Sequence, residues 1–110
     1  MGRFLVTYHA AGMPQDPESV AAARMAFVEW AGKAGRALAD PGAPVRSALV
    51  MPGDGLQDGW VSPAFLGWSV IEAADRNEAV HVVEDHPFLS LGCTLQISEP
   101  IDGQTRIHTA

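Results

Sequence analysis

Apolar and polar positions along this chain change period four times, and each change marks an element. Residues 4–9, a short apolar run from Phe4 to Tyr8 and His9, predict a first strand, ended by Ala10, Ala11, Gly12 and Pro14. Asp16, Pro17 and Glu18 then read as an N-cap, a proline in the first helical position and an acid facing the helix dipole. Val20, Ala23, Phe27, Ala31 and Ala34 recur at helical spacing with Trp30 on the flank, and Gly35 predicts the stop. Glu29 and Lys33 form an i,i+4 pair on the opposite side. Leu38–Pro44 is turn-rich and reads as a connector, and residues 45–51 as the second strand. Residues 52–63, rich in Gly and Asp, read as a long loop among the least ordered of the internal segments.

Residues 65–73 form the third strand. Asp75 and Glu78 make an Asp-x-x-Glu capping box for a second helix, whose buried side is Ala79, Val80 and Val83. His86 before Pro87 stops that helix. Residues 93–99 alternate cleanly, Cys93, Leu95 and Ile97 against Thr94, Gln96 and Ser98. The order β-α-β-β-α-β is the split pattern of an α+β, ferredoxin-like domain: a four-stranded antiparallel sheet with two helices on one face. The uncovered face mixes Thr7 or Ser69 and the polar side of the last strand with Leu66 or Trp68. Such a face is too apolar to leave bare and too polar for a dry core, so a homodimer enclosing a small polar cavity is expected.

The chain has 110 residues, 47% of them hydrophobic, which suits one domain over residues 1–101 and a polar tail over 102–110. Its net charge of −6 comes without a basic cluster, so no nucleic-acid partner is expected. The one cysteine, Cys93, cannot form an internal disulfide. The first apolar run is too short for a signal-peptide core, and no window approaches the roughly 20 apolar residues of a membrane span. A cytoplasmic protein with no membrane association is the expectation.

His86 is the leading chemical candidate. At a helix C-terminus it gains from the dipole when protonated, placing its titration near neutral pH, and Asp85 pushes the same way. The plainer alternative is a side chain that caps the last carbonyls. Asp40 could orient His86 as a carboxylate partner, or merely close its own Asx-turn. His9 ends a central strand, where ligands often meet sheets, or is simply exposed there. Trp30 and Trp68, with Ser69, could wall a small-molecule pocket; core packing and dimer contact are the competing uses. Trp60, in the Gly-rich loop, reads as a lid residue. The four histidines are scattered and no second cysteine is present, so no metal and no cofactor is expected.

Taken in order, Tyr8-His9, Trp30 with Gly35, Asp40-Pro41-Gly42-Ala43-Pro44, Gly67-Trp68-Ser69-Val70-Ile71-Glu72-Ala73 with Glu78-Ala79-Val80, and His86-Pro87-Phe88-Leu89 resemble the YCII-related family. That resemblance runs from about residue 3 to residue 101. It implies a dimeric α/β barrel, and lyase or isomerase chemistry occurs among its members, as do cofactor-free oxygenases in the wider superfamily. It also implies a histidine on the first helix paired with an aspartate. The aligned position here is Phe27, so that pair is not carried over. The Asp-Pro-Phe element after the second helix stands here as His86-Pro87-Phe88, and a sister group's Asp-Gly-Pro-Phe survives only as Asp58-Gly59 before Trp60.

Two readings follow. One is a cofactor-free lyase or isomerase acting on a small organic molecule, with His86 as general acid/base. The other is a non-catalytic small-molecule-binding or accessory dimer. In the first, His86→Gln should abolish turnover and barely move the melting temperature. If His86 is only a structural cap, the same change should instead destabilise the helix end by about 0.3–1 kcal/mol, the scale of a dipole interaction.

Overall fold

The computed structural model describes residues 2–11, 16–46, 51, 53 and 64–101. Its elements are β1 (Gly2–Ala10), α1 (Pro17–Ala34), β2 (Leu38–Pro44), β3 (Ala64–Ala73), α2 (Arg76–Val83) and β4 (Thr94–Ser98), with a short 3₁₀ helix at Pro87–Leu91. The four strands form one antiparallel sheet in the order β2-β3-β1-β4, compatible with a ferredoxin-like domain. No helix among the described residues is long and apolar enough to cross a membrane.

Both helices begin as their caps predict. The Asp16 carboxylate accepts from the Ser19 N–H at 2.9 Å, with Pro17 in the first turn. The Asp75 carboxylate accepts from the Glu78 N–H at 2.9 Å, and Glu78 in turn accepts from the Ala74 N–H, one residue ahead of the cap. Gly35, at φ 56° and ψ −124°, ends α1 in a positive-φ conformation that glycine readily adopts, its N–H donating to the Ala31 carbonyl. Lys33 reaches across to Asp85 at 3.0 Å instead of pairing with Glu29. Val80 is half exposed, so the inner side of α2 is Ala79 and Val83, with Val82 packed at the edge.

Residues directly opposed in an antiparallel pair share a face. Phe4 opposes Ile71, Val6 opposes Ser69, and Tyr8 opposes Leu95, and all of these sit on the side covered by the helices. The core there is Phe4, Val6, Tyr8, Ile71 and Ala73, closed by Trp30 from α1 and by Ala79 and Val83 from α2. Leu5, Thr7, Trp68, Val70, Gln96 and Ser98 fall on the helix-free side by the same register. Ser69 was expected among these; its odd-numbered position on β3 instead turns it inward, fully buried. A register shift at Tyr8/His9 brings Phe65 opposite His9.

The largest departure from the sequence reading is the second strand. Leu38–Pro44, read as a connector, is β2 itself; Val45 and Arg46 follow outside the strand, and residues 47–50 lie outside the described residues. The residues that suggest a turn are tolerated because β2 is an edge strand and irregular, with register shifts at Leu38/Asp40 and Asp40/Ala43. Pro41 and Pro44 need no ladder N–H on an open edge. Gly42 takes φ 71°, and a Cβ there would run into the carbonyl of Trp68. Gly42→Ala is therefore expected to destabilise the protein by about 1–2 kcal/mol, the edge strand yielding outward to limit the cost. Urea unfolding showing no loss would refute the close approach. The loop expected over 52–63, Trp60 included, falls outside the described residues apart from Gly53.

Candidate functional site

The N-terminal half of α1, the irregular β2 and the 3₁₀ helix do not close on one another, and a cleft of about 390 Å³ lies between them. Its walls are mostly apolar: Val20, Ala23 and Phe27 from α1, Pro44 from β2, Leu66 from β3, and Phe88 from the 3₁₀ helix. Tyr8 and Cys93 border it from the core side, and Ser19 and Arg24 add polar groups on the α1 wall. A volume of this size and a predominantly apolar lining with a few polar groups are the usual marks of a small-molecule pocket. Burial raises the Cys93 thiol above its ordinary value, which keeps it protonated.

Behind the cleft stands His86. Its backbone is extended, as a residue before proline prefers, so it caps the 3₁₀ helix that follows it instead of the end of α2. The ring is 2% exposed and is surrounded by Trp30, Phe88, Tyr8 and Phe27, with centroids 4.3, 4.8, 5.0 and 5.7 Å away. Desolvation in this aromatic shell lowers its pKa from 6.5 to about 4, outweighing the opposite pull of Asp85. The expected titration near neutral pH is thereby corrected: the imidazole is neutral at physiological pH.

The hydrogen bonds around it have a single consistent direction. The Phe88 N–H donates to His86 Nδ1 at 3.1 Å, so the proton of the neutral ring is on Nε2. Ser69 donates its hydroxyl proton to the Pro41 carbonyl at 2.9 Å. The Tyr8 hydroxyl must then donate to Ser69 Oγ, at 2.6 Å, and accept from His86 Nε2–H, at 3.2 Å. The relay therefore runs Phe88 → His86 → Tyr8 → Ser69 → Pro41, and every polar side-chain atom in it is satisfied. It ties the 3₁₀ helix through both central strands to the irregular part of β2. Burial also raises the Tyr8 hydroxyl above its ordinary pKa, with the Ser69 bond acting against that shift.

The other expected site residues scatter. Asp40 is exposed and accepts from the Gly42 N–H at 2.8 Å, an Asx-turn; it does not pair with His86, whose two ring nitrogens are already engaged. His9 sits on the helix-free face, bonded to Thr7 Oγ1 at 2.8 Å, so the sheet itself separates it from His86. Trp30 is core, its indole N–H donating to the Val82 carbonyl at 3.3 Å. Trp68 borders the cleft beside Gly42, so the two tryptophans do not form one wall. Ser69 belongs to the relay, and Trp60 lies outside the described residues.

Sequence reasoning missed Tyr8, Phe27 and Phe88 as a group. A signal existed in β1: Tyr8 alternates with Phe4 and Val6 on the inward side, and a buried tyrosine hydroxyl needs a partner. No protein-family model matches this chain, and no curated protein matches it.

Proposed function

We propose that the protein is a small-molecule-binding homodimer of YCII-like type, a dimeric α/β barrel, with its ligand held in the cleft between α1, β2 and the 3₁₀ helix. The observation that carries this is the cleft itself: about 390 Å³, apolar walls, and polar groups only at a few points. Phe27, the position aligned to the family's helix histidine, forms part of that wall, which makes the wall apolar where the resemblance implies a charged pair. An amide NMR titration with 1-naphthol tests the reading. The signals of Ala23, Phe27, Gly42 and Phe88 should move, and those of Leu5 and Gln96 should not. No movement at millimolar probe would overturn it.

Dimerisation through the helix-free face is supported by what that face carries. Leu5 and Phe65 are 37% and 42% exposed, beside half-buried Trp68 and Val70 and the polar Thr7, His9 and Gln96. A second copy of the same face would cover the apolar residues while leaving the hydroxyls and amides to pair. Light scattering should give twice the chain mass at micromolar concentration; a monomer would refute the dimer.

The catalytic reading, a cofactor-free lyase or isomerase with His86 as acid/base, has less support. A neutral imidazole whose acceptor nitrogen already holds the Phe88 N–H has no free lone pair with which to take a proton. At 2% exposure it acts on a molecule in the cleft only through Tyr8. In that reading Tyr8 is the group near the substrate and His86 a positioning residue.

A further inference from the structure

Half of the basic residues among the described positions have a carboxylate partner. Arg3 pairs with Glu72, Lys33 with Asp85, and Arg76 with Glu99. Arg24, Arg36 and Arg46 form no ion pair or side-chain hydrogen bond among the described residues, and of these three it is Arg24 that lines the cleft. In a chain of net charge −6, an uncompensated guanidinium beside an apolar cleft is the feature that would select a ligand by charge.

Its placement on α1 defines what fits. Ser19, Ala23 and Phe27 are spaced by four residues, as are Val20 and Arg24, so the two rows lie side by side on the helix face that forms the cleft wall. At 1.5 Å per residue the wall from Ser19 to Phe27 is about 12 Å long, and Arg24 falls a little beyond its middle. Toward one end stands the Phe27–Phe88 ring pair, with centroids 5.9 Å apart, and toward the other the Ser19 hydroxyl. Both the Ser19 backbone N–H and its hydroxyl act on the Asp16 carboxylate, so this end of the wall is polar but already partnered.

Building on the small-molecule reading above, we propose that the cleft takes an aromatic or compact apolar carboxylic acid. The ring lies against Phe27 and Phe88, and the carboxylate is held by the Arg24 guanidinium. A planar guanidinium matches a carboxylate in two parallel hydrogen bonds, which a neutral amide of the same shape cannot reproduce. A ligand with two or more negative charges is disfavoured, because no second cation borders this cleft among the described residues.

The test compares 1-naphthoate with 1-naphthamide on the full chain by amide NMR titration, in the native protein and in Arg24→Gln and Arg24→Lys. Arg24 is exposed and has no side-chain bond to a described residue, so both variants should keep the native melting temperature. The acid is expected to bind roughly tenfold more tightly than the amide. Arg24→Gln should remove that preference and Arg24→Lys should retain part of it. Equal binding of acid and amide, or a preference that survives in Arg24→Gln, would overturn the charge assignment while leaving the small-molecule reading intact. Failure of both probes to bind would remove both proposals together.

Discussion

Replacing His86 with alanine is expected to lower the stability of this protein by roughly 3–5 kcal/mol, the range for truncating a buried aromatic side chain. The ring packs against Trp30, Phe88, Tyr8 and Phe27, so its removal opens a cavity at the junction of α1, the sheet and the 3₁₀ helix. It also strips the Phe88 N–H of its acceptor and the Tyr8 hydroxyl of its donor. For a domain of this size such a loss is a large part of the total stability, and a melting-temperature drop of more than about 10 °C should follow. His86→Phe separates the contributions. It keeps the ring packing and loses the two hydrogen bonds, so its cost should be smaller, roughly 1–3 kcal/mol. The expectation that His86→Gln would barely change stability belonged to the catalytic reading; a residue 2% exposed and packed among four rings does not behave so. Urea titrations placing His86→Ala within 1 kcal/mol of the native protein would refute the buried relay.

Acid should unfold the protein earlier than its carboxylates alone would require. In the unfolded chain the imidazole titrates near its ordinary 6.5, and in the folded protein at about 4. Between those values the unfolded state binds more protons, so each step down in pH favours unfolding. Above about pH 6.5 the ring is neutral in both states and nothing is lost; the loss then accumulates to roughly 3 kcal/mol by about pH 4. Asp16 and Asp85 have lowered pKa values, held by the Ser19 N–H and by Lys33, so their contributions disappear below this window. The physical obstacle to protonation is specific: a proton on Nδ1 displaces the Phe88 N–H and places a charge among four aromatic rings. Stability measured at intervals from pH 7.5 to 4 should therefore fall steeply in the native protein and much less in His86→Phe. Parallel curves for the two proteins would show that another group is responsible.

Legibility in the sequence tracked the range of the interactions involved. Local rules placed both helices, because Asp16, Pro17 and Gly35, and Asp75 with Glu78, act within a few residues of themselves. Period-two alternation placed β4, and the β-α-β-β-α-β order placed the sheet. For β2 the same local rules misled: Asp40, Pro41, Gly42 and Pro44 are turn formers, and only the open edge beside β3 lets them serve as a strand. His86 was legible as an unusual residue after α2, and His86-Pro87 as a break.

The role of His86 was decided elsewhere, by partners 78 positions away at Tyr8 and by rings from α1. Whether an imidazole is charged depends on the dielectric around it, and that is a property of packing. The sheet decided the remaining candidates, turning Ser69 inward and His9 outward by the parity of their strand positions. The amino-acid sequence by itself therefore determined the order, caps and class of the elements, because those depend on neighbours along the chain. Which side chains meet, which are dry, and where a cleft remains were decided only by the tertiary structure, because burial and directional hydrogen bonding join residues far apart in sequence.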